Sequence, residues 1–512
     1  MEGLIALFFP TRDEFKKLQE KGYRIPVGIK VPLHGLSPLQ ALDKLNLEGK
    51  PAVLLESGKG TEKYARYSFL GWQPWLVYRA QGERITVYDG NGQIIREYQG
   101  HPYEELRQLL KLYPAKRYPG LPKFCGGAMG FISYDMGRYF ERMPELTIDD
   151  LGMPEAYFML VDRLLVFDHW QQTLTVIVNV LEQDYHWALA EIEAILRDLE
   201  NNPARPAVVL PENKELKRSF VPEANMTQAE FEAMVVKCKE YIKAGDIFQA
   251  NLSIRLGREI HTHPLNLYRI VREVNPSPYM AYLEFGDWQI VSSSPELLVR
   301  INEEGYAETR PIAGTRRRGA NREEDLALAR ELISNEKERA EHIMLVDLER
   351  NDLGRVCQYG TVEVNELMVI EEYSHVMHIV SNVRGRLAPG KDGFDLLRAA
   401  FPGGTITGAP KIRSMEIIEE LEPTRRGIYT GSIGYFGYAG EMEMNIVIRT
   451  LVIKDGKKAY VQAGAGIVAD SIPEREYFES LKKAEALLKT LELAEELFAR
   501  EVSSSFRKLD YN

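Results

Sequence analysis

Two pairs of glutamates, far apart in the chain, have the spacing expected of ligands for a hard divalent cation. Glu338 and Glu341 lie three residues apart in residues 335–352, where the apolar spacing predicts a helix with both carboxylates on one face. Glu476 and Glu479 repeat this spacing. Mg²⁺ prefers oxygen ligands and commonly binds one or two carboxylates together with an anionic substrate. Each pair alone is equally typical of a solvated helix face.

Other polar residues indicate a place for an anion. Lys483 lies four residues beyond Glu479, on the same predicted helical face. A Gly- and Thr-rich loop, residues 401–411, runs into a helix predicted to begin near Pro410, and a helix N-terminus beside hydroxyls and a lysine favours an anionic ligand. An ordinary connecting loop has the same pattern. His378 lies in an apolar stretch, where a histidine is more often a buried structural residue than a catalyst.

Composition indicates a globular protein rather than a nucleic-acid or membrane protein. The chain has 512 residues, 45% hydrophobic and 27% charged, with a net charge of −11 and with Lys and Arg spread along it, so we expect neither nucleic acid nor an anionic membrane as a partner. Its three cysteines form no C-x-x-C pair, which predicts a reducing cytoplasm. The apolar opening, residues 1–10, is short and lacks a basic leader, so we expect neither a signal peptide nor a membrane span.

The order of predicted elements favours an α+β fold with antiparallel sheets. Strand-like runs are joined mostly by turns, without regular strand–helix alternation. Residues 201–222 are Pro-rich and polar and form the best linker candidate, which divides the chain into an N-terminal region, 11–200, and a C-terminal domain, 223–490. Residues 227–230 have the pattern of a capping box that opens a helix through Ala244.

Five motifs, taken together and in order, resemble the chorismate-utilising enzymes. They are P-I-A-G-T-R (311–316), E-R-A-E-H-I-M-L-V-D-L-E-R-N-D-L-G-R-V (338–356), Y-S-H-V-M-H-I-V-S (373–381), G-T-I-T-G-A-P-K-I-R (404–413) and A-G-A-G-I-V-A-D-S (463–471). The N-terminal L-L-E-S (54–57) and R-Y-S-F (66–69) are similar to the amidating members, so the resemblance extends over nearly the whole chain. It implies two large antiparallel β-sheets in an α/β sandwich, with helices outside and the N-terminal region interwoven with the catalytic domain.

The resemblance also implies roles for particular residues. Mg²⁺ would link the ring carboxylate of chorismate to Glu338, Glu341, Glu476 and Glu479. Residues that match the substrate-binding positions are Gly314, Thr315, Tyr429, Arg449, Gly466 and Lys483. Positions matching the catalytic pocket are Glu296, His378, Thr405 and Gln249. Of these, Glu296 matches the general acid that protonates the departing 4-hydroxyl in family members that add water, so we expect its pKa to be raised.

The member of the family is indicated by a few positions. Hydrating members carry a lysine base where this chain has Gln249, and a neutral amide cannot deprotonate water, so we expect an ammonia-using enzyme. Asn251 and the segments 401–407, 430–434 and 445–447 resemble aminodeoxychorismate synthase component I, a transferase of para-aminobenzoate and folate biosynthesis. Ala313 stands where many of those enzymes carry a nucleophilic lysine, which excludes a covalent intermediate there.

The sequence is also compatible with a second member of the family, which forms a different product. Segments R-I-P-V (24–27) and R-Y-S-F-L-G (66–71) lean towards anthranilate synthase component I, a lyase of tryptophan biosynthesis that releases pyruvate. We favour the aminodeoxychorismate synthase. A catalytically inactive tryptophan-binding protein is the contrasting interpretation, but all four carboxylates and Lys483 are retained.

The resemblance implies partners for either enzyme. The cysteines lack the Gly-rich setting of a glutaminase nucleophile, so ammonia would come from a separate glutamine amidotransferase subunit. The tryptophan-binding elements of the family are matched by Leu55, Glu56, Ser57, Asn275, Pro276, Tyr279 and Met280.

Overall fold

The computed structural model describes residues 8–58, 66–211, 222–372 and 376–506, with side chains described as far as residue 498. The α-helices are α1 Arg12–Gln19, α2 Pro38–Lys44, α3 Pro102–Lys111, α4 Tyr185–Asn201, α5 Gln228–Ala244, α6 Pro264–Val274, α7 Arg322–Ser334, α8 Glu336–Gly354, α9 Gly393–Ala400, α10 Lys411–Leu421 and α11 Pro473–Phe506. Two 3₁₀-helices span Tyr134–Tyr139 and Gly404–Ile406.

The strands fall into two groups along the chain. Those before the proposed linker are β1 Phe8–Phe9, β2 Ile25–Pro32, β3 Ala52–Glu56, β4 Tyr67–Trp72, β5 Leu76–Gln81, β6 Arg84–Asp89, β7 Ile94–Gln99, β8 Gly127–Ile132, β9 Ala156–Val161, β10 Arg163–Asp168 and β11 Thr173–Val180. Those after it are β12 Glu223–Ala224, β13 Gln249–Glu259, β14 Tyr279–Glu284, β15 Trp288–Ser294, β16 Leu297–Ile301, β17 Tyr306–Thr309, β18 Ile312–Arg317, β19 Glu363–Glu372, β20 Val376–Arg386, β21 Gly408–Ala409, β22 Ser432–Gly437, β23 Met442–Asn445, β24 Thr450–Lys454 and β25 Lys458–Ile467.

The described strands form two large antiparallel sheets, which confirms the predicted α+β class. The first sheet has the order β1-β2-β11-β10-β4-β3-β14-β15-β24-β25-β13-β12, with β21 paired to β13. The second has the order β18-β20-β17-β16-β23-β22-β8-β9-β5-β6-β7, with β19 paired to β20. Three clusters of buried apolar side chains pack between the sheets and under the helices on either side, giving the predicted sandwich.

Both sheets combine strands from before and after the proposed linker. In the first sheet β3 pairs with β14, aligning Leu55 with Ala281. In the second, β8 pairs with β22, aligning Gly130 with Gly434. The 11–200 and 223–490 segments are therefore interwoven, as the resemblance implied. Of the predicted linker, residues 212–221 lie outside the described residues, and residues 202–211 form neither helix nor strand.

Local sequence signals account for the helices that carry the candidate site. The predicted capping box is present. The side chain of Thr227 accepts a hydrogen bond from the Glu230 N–H, and the Glu230 carboxylate accepts one from the Thr227 N–H. Helix α8 begins after Asn335, whose side chain accepts from the Glu338 N–H. Helix α10 begins directly after Pro410, as the loop pattern predicted. No helix among the described residues has the length and apolar character needed to cross a membrane.

Candidate active site

The four predicted metal carboxylates lie at the beginnings of α8 and α11. Glu338 accepts a hydrogen bond from Arg316 Nη1 at 3.0 Å. Glu479 Oε1 pairs with Lys483 Nζ at 2.8 Å, and this ammonium group also donates to the Gly464 carbonyl at 2.9 Å. Lys483 therefore connects α11 to β25, next to the carboxylates.

Charge repulsion connects the two glutamate pairs. Burial raises the pKa of Glu341, and the charges of Glu338, Glu479 and Glu476 raise it further. Burial also raises the pKa of Glu476, with a contribution from Glu479. A divalent cation would relieve this repulsion, and the donors are of the oxygen type that Mg²⁺ prefers. The residues therefore fit the cation in charge and donor type. In the described part of the chain, however, no three acidic, His or Cys side chains lie close enough together to coordinate one metal ion.

Gly314, Thr315 and His378 meet beside these carboxylates, on β18 and β20. His378 Nδ1 lies 3.0 Å from Thr315 Oγ1 and 3.2 Å from the Gly314 carbonyl oxygen. Gly314 has φ +64°, and a Cβ there would lie 2.9 Å from Glu338 Oε2, so the position needs glycine. Burial lowers the pKa of His378, with a smaller contribution from the nearby Arg449, which favours a neutral imidazole at pH 7.

Arg449 supplies a positive charge beside His378 and Tyr429. Its side chain makes no ion pair with any carboxylate of the described residues, although burial lowers its pKa. Tyr429 is buried at 7% exposure and lies near enough for the Arg449 charge to lower its phenol pKa, which burial raises overall. A guanidinium beside a phenol and an imidazole can bind a carboxylate in a fixed orientation.

Glu296 lies in a dry position that suits a proton donor. It follows β15, is 5% exposed, and burial raises its pKa to about 8, although the Thr405 hydroxyl and the Ile312 backbone N–H oppose that shift. The Glu296 Oε1 and Thr405 Oγ1 atoms are both buried and make no well-formed hydrogen bond among the described residues, although the hydroxyl lies near enough to the carboxyl to favour its charged form. Unpartnered polar atoms in one place are typical of a site that a ligand completes.

Gln249 lies at the start of β13, over β25. A Cβ on Gly466 would lie 2.6 Å from Gln249 Nε2, so the amide sits directly above this predicted substrate position. The next residue but one, Asn251, pairs with Gly466 in the sheet and has a buried Oδ1 without a partner among the described residues. The structure thus brings Gln249, Asn251 and Gly466 together at one end of the first sheet.

A second pocket contains most of the predicted tryptophan-site residues. Its lining includes Leu55, Glu56, Ser57, Tyr279 and Met280, together with Tyr435 and Asn445 of the second sheet. Strands β3 and β14 bring them together, because Met280 pairs with Glu56.

Two of the predicted residues, Glu56 and Asn275, have other contacts, and two of the seven lie outside the lining. The Glu56 carboxylate is bound by Arg272 at 2.6 Å and by the Tyr268 hydroxyl at 2.8 Å. Asn275 and Pro276 are absent from the described lining, and the Asn275 side chain donates instead to Ser293 Oγ at 2.9 Å.

One buried carboxyl near the site was not anticipated from the sequence. Glu349 lies on α8 and accepts a hydrogen bond from Thr309 Oγ1 at 2.8 Å. The signal was available, because Glu349 is eleven residues after Glu338, about three helical turns along the same helix. The three arginines at 316–318, which are also near the site, form ion pairs with Glu338, Glu324 and Asp325.

Comparisons with known proteins agree with this arrangement. The chorismate binding enzyme family matches residues 50–489, and the chain belongs to this family. It is a chorismate-utilising enzyme.

Two curated relatives illustrate both predicted members of the family. The chain is 51% identical over 478 residues to aminodeoxychorismate synthase component 1 of Bacillus subtilis, covering 92% of this chain and 98% of that protein. It is 47% identical over 498 residues to anthranilate synthase component 1 of Acetivibrio thermocellus, covering 96% and 100%. The solved structure of anthranilate synthase component I from Streptococcus pneumoniae superposes with a TM-score of 0.71 at 38% identity, covering 83% of this chain and 92% of that one.

Proposed function

We propose that the protein catalyses the Mg²⁺-dependent amination of chorismate to 4-amino-4-deoxychorismate, using ammonia from a separate glutaminase subunit. The observation that carries the choice of ammonia over water is Gln249, whose amide lies over Gly466 at the position where, by the resemblance, hydrating members carry a lysine base. A neutral amide does not deprotonate water, whereas ammonia needs no such base to act as a nucleophile. The similarity to aminodeoxychorismate synthase component 1 supports the same choice.

The residues of the site divide the work between binding and proton transfer. When bound at Glu338, Glu341, Glu476 and Glu479, Mg²⁺ would neutralise a substrate carboxylate. Arg449 and Tyr429 bind the second carboxylate, and His378, held by Thr315, lies against the ring. Glu296 gives its proton to the departing 4-hydroxyl as the new carbon–nitrogen bond forms, and its raised pKa keeps that proton available near neutral pH.

Anthranilate synthase activity is the second candidate, and a specific observation favours it. The pocket between β3 and β14 gathers five of the seven tryptophan-site residues, a feature that suits an enzyme under feedback control by tryptophan. The relative from Acetivibrio thermocellus also carries that name. The relatives are named as component 1, which supports a second, ammonia-supplying component for either activity.

Product analysis tests the proposal. The protein is incubated with chorismate, Mg²⁺ and ammonium, without an added lyase. We expect a non-aromatic amino product that becomes para-aminobenzoate only when the lyase is added. A fluorescent aromatic amine with free pyruvate would establish anthranilate synthase instead.

A variant separates an enzyme from a mere binder of aromatic ligands. Glu341→Gln should lose turnover by about 100-fold or more while keeping its affinity for tryptophan, because the residue lies in the cation site and not in the second pocket. Glu485→Gln is the matched control, because it removes a carboxylate from an exposed ion pair with Lys482 on α11. If neither variant nor the wild type consumed chorismate even with a glutaminase subunit present, the enzyme assignment would be wrong.

A further inference from the structure

A buried ion pair lies between the end of α10 and the start of β22. Arg426 and Glu422 are 4% and 5% exposed, and two hydrogen bonds of 2.7 and 2.9 Å join the guanidinium to the carboxylate. Removing both charges from water can cost as much as their attraction returns, so such a pair contributes little net stability by itself. Its presence therefore needs another explanation, and no reaction step described above uses it.

The remaining donors of the guanidinium reach three separate segments of the chain. Nη2 donates to the Asn251 carbonyl at 2.6 Å, and Nη1 donates to the Ile406 carbonyl at 3.0 Å and to Thr430 Oγ1 at 3.2 Å. With the two bonds to Glu422, Arg426 makes five hydrogen bonds, as many as a guanidinium has N–H donors. A lysine has only three donors, so it cannot reproduce this set of contacts.

Each of the three segments carries a side chain of the candidate active site. These side chains, which lie one or two residues before the accepting groups, are Gln249, Thr405 and Tyr429. The Arg426 guanidinium also lies over the Tyr429 ring, 5.6 Å from its centroid. Its partner Glu422 adds a further contact to β13, because the carboxylate accepts from the Ser253 N–H at 2.9 Å. One ion pair thus fixes three parts of the pocket relative to one another.

The backbone at Thr430 is strained, which shows how firmly this turn is held. Thr430 is 1% exposed and has φ +61°, a left-handed conformation that is unfavourable for a β-branched residue. Its hydroxyl donates to the Tyr429 carbonyl at 2.6 Å, and its N–H donates to the Val447 carbonyl at 2.8 Å. Strain of this kind persists only where the surroundings overdetermine the backbone, and it is typical of ligand sites. The turn therefore connects Tyr429 to the segment that carries Arg449.

We propose that Arg426 is a positioning residue, which holds Gln249, Thr405 and Tyr429 in the relative places that the reaction requires. This inference rests on the proposed amination of chorismate. All the donors of the guanidinium are occupied by the protein, so Arg426 acts through the three segments rather than on chorismate itself. A displacement of about 1 Å between reacting groups can cost about 100-fold in rate, whereas the loss of one hydrogen bond to a substrate changes its affinity much less.

The experiment compares Arg426→Lys with the wild type at a temperature at which both are folded. The variant keeps a positive charge beside Glu422 but loses most of the contacts with the three segments. We expect kcat with chorismate and saturating ammonium to fall about 10- to 100-fold. The Kd for chorismate, measured by calorimetry with Mg²⁺ and without ammonium, should rise only about three- to ten-fold.

Two substitutions of Thr430 isolate one of these contacts and provide a test if Arg426→Lys unfolds. Thr430→Val removes the hydroxyl while keeping the shape of the side chain, so kcat should fall about three- to ten-fold. Thr430→Ser keeps the hydroxyl and should restore nearly wild-type kinetics. Loss in the first variant and rescue in the second would assign the effect to the hydroxyl.

Arg269→Lys is the matched control for a loss of stability alone. Arg269 is 5% exposed on α6, and its Nη1 donates to Asp43 Oδ2 at 3.0 Å in another buried pair. This variant should lose free energy of unfolding much as Arg426→Lys does, with unchanged kcat and chorismate affinity.

Two results would overturn the inference. One is wild-type kcat and chorismate affinity in folded Arg426→Lys and Thr430→Val, and the other is an equal loss of kcat in Arg269→Lys. A wild type that binds chorismate but forms no amino product would overturn the proposed function instead, while the chorismate affinities of the variants would still decide the role of Arg426. Absence of chorismate binding by the wild type would overturn both.

Discussion

Arg316 Nη1 donates to Glu338 Oε1 across 3.0 Å, so one of the four proposed metal carboxylates is paired with an arginine of β18. The same guanidinium donates from Nε to Glu331 at 2.6 Å. A cation that binds Glu338 must compete with this positive charge.

We therefore predict that Arg316→Gln lowers the Mg²⁺ concentration needed for half-maximal activity by about three- to ten-fold, since a repulsive charge is removed. A Mg²⁺ titration of turnover measures it. Arg317→Gln, which breaks an exposed pair with Glu324, should leave the midpoint unchanged. A higher or unchanged midpoint in Arg316→Gln would show that Glu338 does not take part in cation binding.

A methyl group at residue 314 should disturb the same carboxylate. Gly314→Ala places a Cβ 2.8 Å from Leu332 Cδ1 and 2.9 Å from Glu338 Oε2, at a φ of +64°. We expect a loss of about 1–3 kcal/mol in the free energy of unfolding and a weaker response to Mg²⁺. Gly305→Ala has a similar φ, +82°, with nothing within 4 Å, and so isolates the backbone effect. Equal losses in the two variants, measured by urea unfolding, would exclude the steric contribution.

The pKa of Glu296 predicts how activity depends on pH. With a pKa of about 8, the carboxyl is protonated at neutral pH, and kcat/KM per free ammonia should fall as pH rises through about 8. Glu296→Gln should lose about 100-fold or more in kcat and show no such fall.

The free energy of unfolding should also depend on the protonation of Glu296. Because the folded state holds this proton more tightly than an ordinary carboxyl does, the stabilisation is complete below about pH 4.5 and is lost as pH rises through about 8. Urea unfolding of the wild type should show this decline, and Glu296→Gln should show less of it. Parallel pH profiles for the two proteins would contradict the assignment.

Arg449 should control substrate affinity through its geometry as well as its charge. Arg449→Lys keeps the charge but loses the two-pronged contact with a carboxylate, so we expect the KM for chorismate to rise about ten-fold. Initial-rate kinetics with ammonium measure it. Arg384→Lys, in the exposed pair with Glu363, is the matched control and should have an unchanged KM. If the KM were unchanged in both Arg449→Lys and Arg384→Lys, Arg449 would not be a substrate-binding residue.

Local elements were predictable because their signals are short-range. The helix opened by Thr227 and Glu230 begins and ends as the capping pattern indicated, and α8 covers the predicted stretch around Glu338. The partners of the strands were not predictable from spacing, because β3 and β14 are more than 200 residues apart. Only the family resemblance anticipated the two-sheet sandwich.

The same distinction applies to the site. Repeated E-x-x-E spacing identified carboxylates that the structure brings into electrostatic contact. Spacing could not reveal that Glu56 is already bound by Arg272, nor that Asn275 donates to Ser293, because both contacts depend on tertiary packing. Glu349 was overlooked because its spacing from Glu338 indicates only a shared helical face, and a glutamate in a charged helix gives no sign of burial by itself.

The interleaving of strands limits how the gene for this protein can be cut or recombined. A fragment beginning at the proposed linker would lose β3 and β8, leaving the backbone amides and carbonyls of β14 and β22 without their neighbours. Exposed strand edges of this kind pair readily with other chains. The isolated C-terminal segment should therefore aggregate, even though it carries every proposed catalytic residue. Separate expression of the two segments should yield soluble protein only when both are made together, and a chimaera should exchange them as one unit.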